Sequence, residues 1–153
     1  MNGVQGALFG GKKGLLLALY RQALESFGDA QRAVPETTDP EADLLALGIA
    51  YRSWALANPH LFRVMFSGTL PAGDPTCAEA ARDTIGPLQA GVARALASGC
   101  VVGDHDTIVL SLWSVVHGFA TLELDGLLPT DAPGSALTAV LGAALAGWRR
   151  NTA

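Results

Sequence analysis

The densest apolar pattern in the chain runs from Asp104 to Gly126, DHDTIVLSLWSVVHGFATLELDG, with no formal charge between Asp106 and Glu123. Ile108, Leu112, Val115, Phe119 and Leu122 recur at helical spacing on one stripe, and Val109, Trp113, Val116 and Ala120 on the next. A helix that is apolar over most of its circumference is normally covered on all sides. The uncharged run is shorter than the roughly 20 residues that span a bilayer. The pattern therefore predicts a buried helix that organises the rest, one flank against its own domain and the other against a second layer or a second subunit.

The remaining apolar spacing predicts further helices. Leu16, Leu19, Tyr20, Ala23 and Phe27 mark an amphipathic helix from Gly11 or Lys12 to about Phe27, stopped near Gly28. A polar connector with Pro35 follows. Asp39 can accept from first-turn N–H groups, Pro40 suits the first helical position, and Glu41 and Asp43 favour the positive end of the dipole. That helix carries Leu44, Leu47, Tyr51 and Trp54 on one stripe and ends at Asn58-Pro59, because the residue before proline avoids helical angles. Residues 60 to 66, HLFRVMF, read as a short apolar turn whose Leu61, Phe62, Met65 and Phe66 cap a core.

A surface loop, SGTLPAGDP, leads to a second cap-plus-proline signal at Asp74-Pro75. The helix it opens runs to Ser98 with a break expected at Gly86-Pro87 and termination at Gly99. Thr130 or Asp131 is expected to cap a last helix, with Pro133 in its first turn and its end near Trp148. Leu137, Leu141, Ala144 and Trp148 form its apolar stripe, while Ala139, Ala143, Ala146 and Gly147 form a small-residue flank that lets another helix approach closely. The architecture predicted is all-α, five or six helices around one core.

Composition supports this reading. The 153 residues suit one domain; Ala, Leu and Gly dominate, and β-branched residues are sparse outside the stretch from Val101 to Val116. A formal charge of -4 argues against gripping phosphate backbones through the overall field, though it permits a local basic patch. Cys77 and Cys100 form no CxxC and have no His spaced to complete a metal site, which reads as two reduced thiols in a cytoplasmic protein. Lys12 and Lys13 precede GLLLALY, but Arg21 interrupts the apolar run and no small-residue cleavage site follows, so this is not a secretion signal.

Catalytic patterns find little support. Gly6, Gly11 and Lys12 satisfy the spacing of a phosphate-binding loop, yet Lys13 stands where a Ser or Thr should meet magnesium and no strand precedes Gly6. There is no G-x-S-x-G elbow, no H-E-x-x-H and no dinucleotide fingerprint. Neither an enzyme nor a cofactor is expected. His117 is the single polar ring in the uncharged centre of the main helix, one turn from Trp113, and burying it requires a hydrogen-bond partner. It is either a core histidine tied to a carbonyl or hydroxyl, or the polar anchor of an apolar small-molecule pocket walled by Trp54, Phe62, Met65 and Trp113.

The segment AYRSWALANPHLFRVMF, Ala50 to Phe66, followed later by LWSVVHGFATLEL, Leu112 to Leu124, resembles the C-terminal domain of TetR-type transcriptional regulators. The resemblance is to the subgroup with a Trp and His-Gly pattern, here Trp113, His117 and Gly118, and covers roughly residues 11 to 148. It implies an all-helical domain that binds a small apolar effector and pairs two subunits in a bacterial cytoplasm. The effector pocket it implies adds Tyr51, Leu88, Val92 and His117 to Trp54, Phe62, Met65 and Trp113. The implied homodimer interface uses the helices near 104 to 126 and 133 to 148, with Val116, Ala120, Ala139, Ala143 and Gly147.

Such regulators usually read something like GALYRHFGGKEGLL at the end of their DNA-reading head, whereas this chain has GALFGGKKGLL, Gly6 to Leu16. Residues 1 to 10 are therefore expected to be the remnant of a recognition helix, and residues 11 to 150 the effector-binding and dimerisation domain. Lys12 and Lys13 are left for weak contact with phosphate, which gives little sequence discrimination. The chain as given is expected not to bind an operator specifically, since operator DNA is a partner only where an intact N-terminal domain is present. The alternative is a stand-alone helical module that pairs with full-length paralogues and modulates their DNA binding.

Overall fold

The computed structural model describes residues 10–68 and 75–150, without the side chains of Thr76 and Cys77. Six helices carry the described residues: α1 (Gly11–Arg32), α2 (Pro40–Ala57), α3 (Pro59–Phe66), α4 (Pro75–Ser98), α5 (His105–Leu124) and α6 (Pro133–Ala146). The fold is all-α. Residues 1 to 9 and 69 to 74, with the surface loop and the Asp74 cap expected there, lie outside the described residues.

Local chemistry sets most boundaries. The Asp39 carboxylate accepts from the Ala42 N–H at 3.0 Å and Pro40 takes the first turn of α2. Asp104 does the same for α5, accepting from the Thr107 N–H at 2.9 Å. At the other end of α5 the Leu127 N–H reaches back to the Leu122 carbonyl, with Gly126 at φ 68. That closure needs the left-handed conformation glycine adopts freely.

Four boundaries differ from the expectation. Gly28 does not stop α1: its φ is not positive, and Phe27, Gly28 and Gln31 are buried, so packing carries the helix another turn to Arg32. Pro87 lies inside a continuous α4, which packs along both α1 and α2. Residues 59–66 form a helix rather than a turn, started by Pro59. In α6 the cap position is Ala132 with no side-chain bond, and Thr130 Oγ1 accepts from the Ala132 N–H instead. That helix ends at Ala146, where the chain turns so that Arg149 bridges to Val101 and the Val102 N–H donates to the Trp148 carbonyl at 2.7 Å.

The helix at the centre is α2, not α5: α2 packs against each of the other five. Against α6, Gly48 faces Leu141 so tightly that a Cβ at residue 48 would overlap the leucine side chain. α5 is buried on one face only, through Ile108, Val109, Leu112, Val116, Phe119 and Ala120. Leu110, Trp113 and Leu122 stay exposed. At 20 residues α5 has the length of a bilayer span. It nevertheless carries Asp106 near its start and Glu123 near its end, and the Glu123 carboxylate receives two hydrogen bonds of 2.6 Å from Arg52 on α2.

The core is divided rather than single. One cluster is rich in aromatic rings, with Phe27, Tyr51, Trp54, Phe62, Phe119 and Leu137. The other is aliphatic, with Leu44, Leu47, Val92, Ile108, Leu112 and Leu145. Burial of such side chains stabilises by about 1.5–3 kcal/mol each, and what separates the two clusters positions the site.

Candidate functional site

Between the two clusters lies a cavity of about 370 Å³. Phe27, Tyr51, Val116 and Leu141 reach it from the aromatic side, and Leu44, Leu47, Leu112 and Leu145 from the aliphatic side. α1 adds Tyr20, Leu24 and Gln31, α3 adds Met65 and Phe66, and α4 adds Ala81, Arg82, Thr84, Ile85 and Leu88. Trp113 on α5, 37% exposed, and Arg82 on α4, also exposed, both line it, so the cavity reaches the surface at these two side chains. Its volume is within the range of small-molecule pockets, and its lining is that of such pockets: mostly hydrophobic with few polar groups.

The polar groups inside are neutral and engaged. The Tyr51 hydroxyl lies 2.8 Å from His117 Nδ1. Burial holds the imidazole below its ordinary pKa, so Nδ1 is free to accept from the phenol. The same burial pushes the Tyr51 phenol up, and the Trp113 indole partly opposes it. Phe62 stacks on the His117 ring at 5.4 Å and Phe66 meets it edge-on at 4.4 Å. Gln31 donates from Nε2 to the Leu47 carbonyl at 3.4 Å. No described group of three or more His, Cys, Asp or Glu side chains is arranged to hold a metal ion.

Ion pairs brace the walls. Arg52 and Glu123 fix α2 to α5 through their paired hydrogen bonds. Asp43, buried on α2, accepts from the Thr37 N–H at 2.9 Å, from the Thr37 hydroxyl at 2.7 Å and from Arg94 Nη2 at 2.9 Å. Those bonds, the Thr37 backbone first, hold its carboxyl below the usual range. They tie the α1–α2 connector, α2 and α4 together beside the cavity.

A family profile described as the tetracyclin repressor-like C-terminal domain matches residues 44–145. The chain belongs to that family. Such domains in TetR-type transcription regulators bind effectors and pair subunits. A solved structure of a protein of unknown function from Rhodococcus sp. RHA1 is 27% identical, with a TM-score of 0.85 over 93% of this chain and 75% of that one. The TetR family transcriptional regulator PfmR from Thermus thermophilus shares the fold at 19% identity, with a TM-score of 0.71 over 95% of this chain and 81% of that one. Comparison with curated protein sequences gives no significant match.

The structure of this TetR-type domain brings Tyr51, Met65, Leu88 and Trp113 together on the cavity wall. The other four residues expected there are placed elsewhere. Trp54 is buried, with its indole N–H donating to Ser26 Oγ at 2.8 Å and its ring against Phe27. Phe62 packs on His117, and Val92 is fully enclosed in the aliphatic cluster. His117 does not line the cavity and touches two side chains that do, Tyr51 and Phe66. Sequence reasoning missed Gly48, Gln31, Arg82 and Ile85 on the wall; the period linking Ile85 to Leu88 and Gly48 to Leu44 was the available signal.

The residues expected at a subunit interface also divide. Val116 and Ala120 are 5% and 0% exposed inside the subunit, because the face of α5 that carries them packs into the aromatic cluster. Ala139, Ala143 and Gly147 are exposed. With Leu110, Trp113 and Leu122 of α5 and Val140 of α6 they leave apolar surface uncovered on two helices that pack against each other. Lys12 and Lys13 are exposed at the start of α1.

Proposed function

We propose that residues 11–150 sense a small apolar effector in the cavity between the two core clusters and form a homodimer through α5 and α6. The observation that carries this reading is the cavity itself: about 370 Å³ of apolar-lined space in the middle of a TetR-type domain, where a close-packed core would otherwise lie. The exposed apolar faces of α5 and α6 support the pairing. The protein works in the cytoplasm as a regulator of transcription, without catalysis and without a cofactor.

Control runs through α1. Its inner turns place Tyr20, Leu24, Phe27 and Gln31 on the cavity wall, and its first turn carries Lys12 and Lys13. An effector that fits only one position of α1 shifts the population toward it and so changes the spacing of the two α1 starts in the dimer. The described helices serve the cavity and its walls, and Lys12 and Lys13 would touch phosphates without discriminating sequence. A mobility-shift assay with this chain is expected to show weak, salt-sensitive and sequence-independent retardation. Nanomolar, sequence-dependent binding at physiological salt contradicts it.

The same exposed faces of α5 and α6 would also accept a full-length paralogue, which makes a mixed dimer with blocked DNA binding the second reading. A mixed-subunit pull-down decides between them, because failure to capture any full-length relative removes the second.

A further inference from the structure

We infer that the effector is an elongated apolar molecule with one carboxylate end, the tail lying between the core clusters and the charge meeting Arg82 at the mouth. The inference deepens the sensing role proposed above and rests on it. Arg82 is the sole charged residue among the described ones lining the cavity. It stands on α4 in line with Ile85 and Leu88, one and two turns further along, and this row grades from exposed at Arg82 to partly buried at Ile85 and Leu88. Val92, the next turn inward, is fully buried. The row therefore leads from solvent to core, with the positive charge at its outer end.

That charge faces no carboxylate among the described residues. Arg32, Arg52, Arg63, Arg94 and Arg149 each face a carboxylate within ion-pair distance. Arg82 pairs with none of the described residues, and no described carboxylate lines the cavity. Inside, Tyr51 and Gln31 are neutral and already bonded to His117 and to the Leu47 carbonyl. A ligand charge of either sign would lose its hydration there without gaining a counter-charge, which opposes burying it. At the mouth an anion meets a guanidinium whose two parallel N–H donors match a carboxylate, whereas a cation is repelled and a neutral hydroxyl accepts only one weaker bond. A volume of about 370 Å³ suits a chain of on the order of ten carbons.

The test is isothermal titration of decanoate, decan-1-ol and decylamine, each below its micelle concentration and at fixed salt, into the wild-type chain and Arg82→Gln. Arg82 is exposed, so the substitution leaves the core untouched. Decanoate is expected to bind roughly three- to tenfold tighter than decan-1-ol, the range for a partly exposed charge-assisted contact. Decylamine is expected to be the weakest, and Arg82→Gln to bring the acid and the alcohol within twofold of each other. Equal affinity of acid and alcohol in the wild type, or a preference for acid that survives Arg82→Gln, overturns the carboxylate assignment while the cavity still binds. No saturable binding of any of the three overturns the sensing role together with it.

Discussion

The Tyr51 hydroxyl and His117 Nδ1, 2.8 Å apart and 66 residues distant in sequence, join the wall of the cavity to the middle of α5. The pair turns a histidine that does not itself line the cavity into a support for a tyrosine that does. Burial lowers the His117 pKa below its ordinary 6.5, so between the two values the unfolded chain binds more protons than the folded one. The contribution of neutral His117 to stability is complete above about pH 6.5 and is lost as pH falls toward the lower folded value. His105 acts in the opposite sense, because hydrogen bonds to Asp106 and to the Gln89 carbonyl raise its pKa. The difference in Tm between the wild type and His117→Gln cancels His105. It is expected to shrink from pH 7 to pH 5; a difference independent of pH contradicts the assignment.

Asp43 should govern a separate, more acidic window. Its carboxyl is held below 3.8 by the Thr37 N–H and hydroxyl and by Arg94. The stabilisation it provides is present above that value and disappears as pH falls through the lower folded one. Asp43→Asn is expected to be less stable than the wild type at pH 7 and to lose less on acidification below about pH 4, followed by circular dichroism. Parallel acid limbs for the two proteins would place the titration elsewhere.

Gly48 on α2 lies directly against Leu141 on α6. Leu141 is 3% exposed and also lines the cavity, so to yield it would have to move out of its packed position into that space. Gly48→Val should destabilise by about 1–3 kcal/mol through overpacking, read from urea unfolding. No loss of stability would mean that the two helices can separate freely.

Ala143 is exposed on α6 within the surface proposed for pairing. Ala143→Arg is expected to weaken the dimer roughly 100-fold by burying an unpaired charge, seen as monomer by light scattering at micromolar concentration. An unchanged dimer moves the interface away from this flank.

The start of α2 was legible in the sequence, because Asp39-Pro40 acts through a neighbour three residues away. Gly28 and Pro87 misled for the opposite reason: distant helices hold α1 and α4 helical past residues that would end them in isolation. Hydropathy singled out α5, yet the number of partners a helix meets is set by topology, and α2 meets more with a shorter apolar run. Tyr51, Met65, Leu88 and Trp113 could be read as cavity wall, but Trp54, Phe62 and Val92 have the same chemistry and fill core instead. Val116 and Ala120 pack inward together with Ile108, Leu112 and Phe119, so the buried face runs across both predicted stripes, a placement periodicity leaves open. Arg82 was hidden because an exposed arginine on a helix is the ordinary case, and only the cavity beneath it gives it a role.

Trp113 lies on the cavity wall whereas Trp54 and Trp148 do not, which gives the site its own fluorescent reporter. The decisive measurement is titration of the wild type and Trp113→Phe with 10-bromodecan-1-ol, whose bromine quenches indole fluorescence on contact. The wild type should show saturable quenching at one molecule per chain, and Trp113→Phe should lose most of it. Quenching that never saturates, or that is the same without Trp113, would show that the space between the two core clusters does not receive an apolar guest.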